Sequence, residues 1–474
     1  MTDYRFAPLA EQDSAPLYRQ LYERVRGAIA AGSLGPGDRL PSARALAKEL
    51  GVARGTIELA YSLLTSEGYL LARGQAGTVV NPHLQAQAAP MKPAPSPAPA
   101  AEDAPDSLWR PGQLLPFQMG VPALDAFPRK IWARLGARYL RGMQADDLDY
   151  PPAHGLPALR SAIASYLQVS RGIDCGAHQV FVTSGWPASL AFVAHAVLGA
   201  GQRAWVEDPG YPPARQILRQ FGLEPVPVEV DEQGLKVEQG IALAADARVA
   251  VVTPAHQSPL SMTLSLPRRQ ALLDWASSSG AWVVEDDYDG EYRYSSRPLP
   301  ALASLDRHGR VFYAGTFSKV LFPGIRLAYL VVPQAQVARF EQIGRALFAA
   351  ATPRMTQALV ADFIAEGHFT RHIQRMRRLY GERRTETIAA LERGLAGCLK
   401  VEQSPGGMNL VLRLPGDASD RPLADHLLAH GMAVQALSRW WASSRRDSAL
   451  LLSFTNCTSP EQAQHLGELI RQAL

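Results

Sequence analysis

Residues 83–112 read HLQAQAAPMKPAPSPAPAAEDAPDSLWRPG. Proline and alanine recur there without an apolar face, so the stretch has nothing to bury and no means of forming a core. It is also longer than the ~12–15 residues to which a structureless loop inside a compact domain normally runs. The 474-residue chain must therefore fold as two bodies on a tether, one at 14–82 and one at 113–474. Extended as polyproline II at ~3.1 Å per residue, the tether spans up to ~90 Å.

The N-terminal body reads as three helices and a hairpin. Leu17, Leu21, Val25, Ala28 and Ile29 share one helical face. Ser42 is placed to cap a second helix, Ala43 to Leu50, and Gly51 to stop it. A third helix runs from about Arg54 to Glu67, with Ile57, Ala60, Tyr61 and Leu64 facing inward. Two helices across a short turn make a helix-turn-helix. Tyr69–Arg73 and Thr78–Val80 around Gly74-Gln75-Ala76-Gly77 then make a wing. Residues 1–82 hold nine basic and eight acidic side chains, so bulk charge does not identify a partner. Placement does: Arg39, Arg44, Lys48, Arg54 and Arg73 cluster at the turn, the third helix and the wing, where DNA phosphates would approach.

From Pro116 onward, β-prone runs alternate with helical ones. Strands are expected at Val180–Val182, Arg203–Val206, Val249–Val252, Trp282–Glu285, Val311–Ala314 and Ala328–Val332. Such alternation predicts an α/β fold with a mostly parallel sheet, its ligand at the carboxyl ends of the strands. Lys319 follows one of these strands, in Gly315-Thr316-Phe317-Ser318-Lys319, with Arg326 seven positions on. A lysine amine can condense with the aldehyde of pyridoxal 5'-phosphate, while hydroxyls and an arginine hold the phosphate. Asp286 and Tyr288 end another strand and supply the anion and the donor that the pyridine nitrogen and phenolic oxygen need. Ser184-Gly185-Trp186 opens a helix whose free amides suit a phosphate. Tyr211 brings an aromatic ring that can stack on the pyridine.

The N-terminal body resembles the winged-helix domain of the GntR regulator family. The likeness runs through Leu17–Leu21, Gly37–Arg44, Leu46–Thr56 and Glu67–Leu70. It implies DNA contacts from Arg39, Ser42, Arg44, Arg54, Gly55, Thr56 and the wing glycine Gly77. Two positions depart: Ala53 removes a capping hydroxyl, and Glu58 turns a negative charge toward the phosphates. The C-terminal body resembles the fold-type I aminotransferases from Phe117 to the end, and within them the MocR group, which fuses that fold to a GntR winged helix. Phe127–Trp132, Gly155–Arg160, Glu285–Asp289, Gly315–Lys319, Gly367–Phe369 and Arg375–Tyr380 carry this likeness.

That resemblance implies that Lys319 holds the cofactor as a Schiff base, with Asp286 at the pyridine nitrogen, Tyr288 at the phenolic oxygen and Tyr211 on the ring. Ser184, Gly185, Trp186, Thr316, Ser318 and Arg326 would hold the phosphate, with Tyr150 reaching in from the partner of a head-to-tail homodimer. His256 and Gln257 match the MocR form of the aminotransferase asparagine loop. Residues from about 350 to 474 would form a small subdomain. Trp186-Pro187, Asn409 and the apolar strand Ala449–Phe454 depart from the family pattern. That strand lacks the arginine that clamps a substrate carboxylate, the nearest being Arg445 and Arg446.

The expected protein is a pyridoxal phosphate-dependent regulator that binds a double-stranded operator and answers to an amine, an amino acid or the cofactor itself. Two alternatives are a working aminotransferase with a vestigial N-terminal module and a GntR-type repressor whose large domain is only a scaffold. Cys175, Cys398 and Cys457 are scattered, which fits a reducing compartment. Neither a signal-peptide pattern nor a run of ~20 apolar residues occurs, so the expected location is the cytoplasm, away from membranes.

Overall fold

The computed structural model describes residues 15–74, 77–84, 114–294, 300–348, 352–402, 406–416, 418–443 and 447–474. The chain divides into two compact units, Met1–Ser107 and Leu108–Leu474. Most of the predicted tether, the wing-tip residues Gln75 and Ala76, and Arg445 and Arg446 lie outside the described residues.

In the first unit, helices α1 (Leu17–Ala30), α2 (Ala43–Leu50) and α3 (Arg54–Ser66) precede strands β1 (Leu70–Ala72) and β2 (Thr78–Val80). Leu21, Val25, Leu46, Ile57, Leu64 and Val80 close one core. The Ser42 hydroxyl accepts the Ala45 N–H at 3.2 Å, and Gly51 takes the left-handed conformation that ends α2. Ala53, at the start of α3, makes no side-chain cap. β1 and β2 pair antiparallel as the wing.

The second unit begins with α4 (Arg129–Gly142) and α5 (Pro157–Arg171), then alternates: β3 (Val180–Thr183), α6 (Trp186–Val197), β4 (Arg203–Asp208), α7 (Pro212–Gln220), β5 (Glu224–Asp231), β6 (Gly234–Leu235), α8 (Val237–Ala244), β7 (Val249–Val252), α9 (Leu266–Ser279), β8 (Trp282–Asp287), β9 (Val311–Thr316) and β10 (Ala328–Val331). These strands form one eight-stranded sheet in the order β3-β10-β9-β8-β7-β4-β5-β6. The run β9-β8-β7-β4-β5 is parallel. β10 is antiparallel to both β3 and β9, which leaves β3 aligned with the parallel run. All six predicted strands are present, and all but β10 end on the same edge.

Helices α10 (Val337–Ile343), α11 (Arg354–Ala365) and the long α12 (His368–Leu395) lead into the small subdomain. There β11 (Val401–Glu402), β12 (Asn409–Arg413), α13 (Asp420–Ala429), β13 (Gln435–Ala436), β14 (Ala449–Ser453) and α14 (Pro460–Ala473) make an antiparallel sheet, order β11-β12-β14-β13, backed by helices. No described helix is long and apolar enough to cross a membrane.

Candidate functional site

The sheet order assembles the site. Ala328, the first residue of β10, pairs with Thr183 on one side and Thr316 on the other. Ser184-Gly185 and Phe317-Ser318 therefore leave the sheet at one level, and Arg326 enters between them. Gly185 has φ +143°, and a Cβ there would stand 3.5 Å from a guanidinium nitrogen of Arg326. A side chain at 185 would fill the cup that these residues enclose. Behind it α6 begins at Trp186, whose amide is free to donate to an anion, while Pro187 has no N–H and the Ala188 and Ser189 amides donate to the Gly185 carbonyl. The Thr316 hydroxyl accepts the Ser318 N–H at 3.2 Å and braces the turn. Arg326 is exposed, and its guanidinium makes no hydrogen bond or ion pair among the described residues.

Lys319 lies past the end of β9 and donates from Nζ to the Gly120 carbonyl at 2.9 Å. Gly120 is required for this approach, since its φ is +73° and a Cβ would sit 2.3 Å from Nζ. Burial lowers the Lys319 pKa, against the pull of Asp286 and Asp289. In the β8–β9 register Asp286 lies opposite Ala314, which brings the carboxylate beside the lysine strand. Burial, with Asp287 and Glu207 nearby, raises the Asp286 pKa well above the usual carboxylate range, while Lys319 opposes the shift.

Asp286 Oδ1 and the Tyr288 hydroxyl are buried without a partner of good hydrogen-bond geometry. A carboxyl and a phenol left unpaired, beside a lysine and the Gly185–Arg326 cup, are the complement of a pyridine nitrogen and a phenolic oxygen. The residues present fit pyridoxal 5'-phosphate. Tyr211 meets Trp186 edge to face, centroids 5.5 Å apart, and burial raises its pKa to about 12.

A buried ionic network holds the loop that presents these groups. Arg171 pairs with Asp287 at 2.9 Å and Glu291 at 3.2 Å. Tyr313 donates to Asp287 at 2.6 Å and Tyr166 to Glu291 at 2.9 Å. His256 Nδ1 lies 3.0 Å from Asp289. The Gln257 amide donates to the Pro209 and Ser258 carbonyls and to Glu207, and its oxygen accepts the Leu260 N–H. Its contacts therefore shape the loop. Tyr150 is 81% exposed in the single chain and joins none of these groups.

Sequence reasoning assigned no role to Glu207, Ser258 or Asp289. Glu207 accepts from the Thr253 amide at 3.1 Å and hydroxyl at 2.5 Å. Ser258 approaches the Tyr288 hydroxyl and holds its pKa down against the larger raising effect of burial. Each role depends on a partner distant in sequence. In the winged helix, Arg39, Ser42, Arg44, Arg54 and Gly55 are exposed and Thr56 is half-buried. A Cβ on Gly77 would stand 3.1 Å from Arg39 Nε, so the glycine lets that guanidinium lie against the wing. Arg54 pairs with Glu58 at 2.7 Å, which gives the unexpected acid a partner.

Comparison with known proteins agrees with this geometry. The class I and II aminotransferase family matches residues 116–466, and the gntR family of bacterial regulatory proteins matches residues 17–80. The chain is 36% identical over 472 residues to the probable rhizopine catabolism regulatory protein MocR of Rhizobium meliloti, covering 96% of this chain and 93% of that one. It is 34% identical over 445 residues to the HTH-type pyridoxine biosynthesis transcriptional regulator PdxR of Corynebacterium glutamicum, covering 92% and 91%. Among solved structures it resembles LysN, the α-aminoadipate aminotransferase of Thermus thermophilus, at TM-score 0.68 and 28% identity over 76% of this chain and 92% of that one. The fold and site define a helix-turn-helix regulator built on an aminotransferase domain. The chain belongs to the MocR-type, GntR-family transcriptional regulators. Family and fold imply pyridoxal 5'-phosphate as its cofactor.

Proposed function

We propose that this regulator senses an amine through the Lys319 site and converts occupancy into a shift of its winged helices on an operator. The observation that carries the reading is the set gathered at the strand ends: Lys319, a buried Asp286 carboxyl and a buried Tyr288 hydroxyl without partners of good hydrogen-bond geometry, and the Gly185–Arg326 cup. A chain that used this domain only as a scaffold would have no need to bury an unpaired carboxylate, which is costly.

When bound, pyridoxal 5'-phosphate would supply an aldehyde that condenses with amines, and Lys319 is the residue that would hold it. Lys319, its pKa lowered by burial, remains beside the Gly120 carbonyl, which accepts its N–H. Asp286 would meet the pyridine nitrogen and hold a proton there. Tyr288, with Ser258 beside it, would donate to the phenolic oxygen. Ser184, Gly185, Trp186, Thr316, Ser318 and Arg326 would hold the phosphate, Tyr211 would cover the ring, and His256 and Gln257 shape the adjoining loop. Ligand in the cleft favours one arrangement of the small subdomain, and only differential affinity for two arrangements is needed to pass the signal on. The domain pairs head to tail with a second copy, so two tethered winged helices reach two half-sites.

The test is the visible absorption of the full-length protein, wild type beside Lys319→Ala, with a panel of amines and an operator footprint. An absorption band that needs Lys319, shifts with an amine and changes the footprint at the same concentration is the expected result. A Lys319-dependent band that no amine moves would overturn amine sensing and make the cofactor itself the signal.

A further inference from the structure

The solvent side of α3 bears on which base edge the winged helix reads, a question separate from the amine-sensing reading above. Ile57, Ala60, Tyr61 and Leu64 turn the other side of the helix into the core of the first unit. At about 3.6 residues per turn, Gly55, Leu59 and Ser62 fall opposite them, and all three are exposed. Leu59 is 47% exposed, and no other large hydrophobic side chain among the described residues of this unit is left exposed.

A single exposed leucine is ordinary on a protein surface. The glycine one turn before it is not. Within a helix glycine is disfavoured more than any residue except proline. Gly55 lies inside α3, and nothing in the fold demands it there: a Cβ would meet no atom within 4 Å. The bare position instead lets something from outside come close to the helix backbone, directly beside Leu59.

Charge says what that something is. Cations stand on the elements before and after α3: Arg44 and Lys48 on α2, Arg73 beyond β1, and Arg39 against the wing glycine Gly77. They suit the phosphates of a duplex, and the gntR match over residues 17–80 directs this unit to DNA. The second helix of a helix-turn-helix lies in the major groove with its first turns at the base edges. On those turns the charge of Arg54 is offset by Glu58 at 2.7 Å, and the line Gly55, Leu59, Ser62 carries none. Leucine has neither donor nor acceptor. Against N7 and O6 of guanine, or the amino groups of adenine and cytosine, it would strip water from polar atoms and return nothing. The C5-methyl of thymine is the one apolar group that unmodified bases show in the major groove.

We propose that Leu59 reads a thymine by packing on its C5-methyl group, with Gly55 admitting the edge of the base to the helix backbone. Each operator half-site then carries a thymine at one fixed position, where the contact is apolar and makes no hydrogen bond.

The experiment removes that methyl and nothing else. Duplexes are selected from a random-sequence pool on the full-length protein, and each thymine of the selected half-site is replaced in turn by deoxyuridine. Fluorescence anisotropy then gives the affinity of wild type and of Leu59→Ala for each duplex. At one thymine the replacement should weaken wild-type binding about three- to fivefold, the worth of one buried methyl. Leu59→Ala should bind the thymine duplex about three- to tenfold less tightly than wild type and bind the deoxyuridine duplex equally well. Because Leu59 is exposed, this variant should keep the wild-type circular dichroism and thermal midpoint. Gly55→Ala should hold or raise the midpoint, since its Cβ meets nothing in the fold, and still bind several-fold more weakly. Equal losses for wild type and Leu59→Ala at every thymine would assign the effect to DNA shape or to another side chain and overturn the proposal. A wild type that no replacement weakens overturns it too, and a Gly55→Ala protein that binds like wild type overturns the close approach on which the contact depends. A pool that enriches no sequence would overturn sequence reading by the winged helix altogether, and the proposal with it.

Discussion

Glu207 is a carboxyl whose acid form is favoured by its surroundings. It accepts two bonds from Thr253 and one from Gln257, yet burial outweighs them and raises its pKa to about 7. The raised value means that the folded state binds this proton more tightly than the unfolded chain does. Its contribution to stability is complete below the unfolded pKa of ~4.3 and is lost as pH rises through the folded value. Between those limits the loss approaches ~1.4 kcal/mol per pH unit. Glu207→Gln removes the titration. In urea unfolding of the cofactor-free protein, wild type should therefore lose ~1–3 kcal/mol relative to Glu207→Gln between pH 5 and 7.5. Glu285, also raised to about 7, titrates in both proteins and cancels in the comparison. A difference that stays flat across that range would show that Glu207 ionises freely in the fold. Lys319, Asp286 and Tyr288 were legible in the sequence because each sits at a strand end beside residue types with one shared use. Glu207 was not, because its state is set by burial against bonds from Thr253 and Gln257, partners that only the fold brings near.

At the scale of elements, strands buried on both faces announced themselves as short Val-rich runs. Among the strands that escaped notice, with the two-residue β6 and with β12, was β5, Glu-Pro-Val-Pro-Val-Glu-Val-Asp, whose two prolines argue against a central strand. It lies near the edge of the sheet, with a full parallel ladder to β4 and only a two-residue pairing to β6 on its other side. The small-subdomain strands β11 and β13 are two residues long, too short for an alternation to register. In the winged helix all the elements were legible, but the pairing of Arg54 with Glu58 was not, because i,i+4 pairs form only where rotamers allow. That pair sits on the first turns of α3, where the family's DNA contacts are expected, and both partners are exposed. Exposed pairs contribute little to stability, so the pair's larger effect is on charge presented to phosphate. Glu58→Ala should tighten operator binding about three- to tenfold and steepen its salt dependence by roughly one counterion. Electrophoretic mobility shifts at several salt concentrations measure both. A loss of binding, with α3 intact by circular dichroism, would instead mark Glu58 as a reader of a base edge.

For the whole molecule, the sheet and the small subdomain are joined across the cleft by polar contacts at the end of β4. The Asp208 carboxylate accepts the Ala442 and Ser443 amides at 2.7 and 3.1 Å, and Arg215 donates to the Trp440 carbonyl at 2.8 Å. Trp440 in turn lies 6.1 Å from Tyr211, so the ring cover and this latch share a contact. A site wired to its own small subdomain still lacks one expected member. Tyr150 is exposed in the single chain, and under the proposed head-to-tail pairing its phenol would reach the phosphate of a second copy. This requirement separates a shared site from a self-contained one. Tyr150→Phe alone should weaken cofactor binding about tenfold, the worth of one charge-assisted hydrogen bond. Lys319→Ala alone should abolish the Lys319-dependent absorption. When the two variants are co-expressed and the mixed dimer is isolated by differential tags, one of its two sites carries both changes. The other combines an intact Lys319 with an intact Tyr150 from the opposite chain. The mixed dimer should therefore bind one equivalent of cofactor with wild-type affinity. If Tyr150 served its own chain, the Lys319-bearing site would keep the weakened affinity, and mixing would restore nothing.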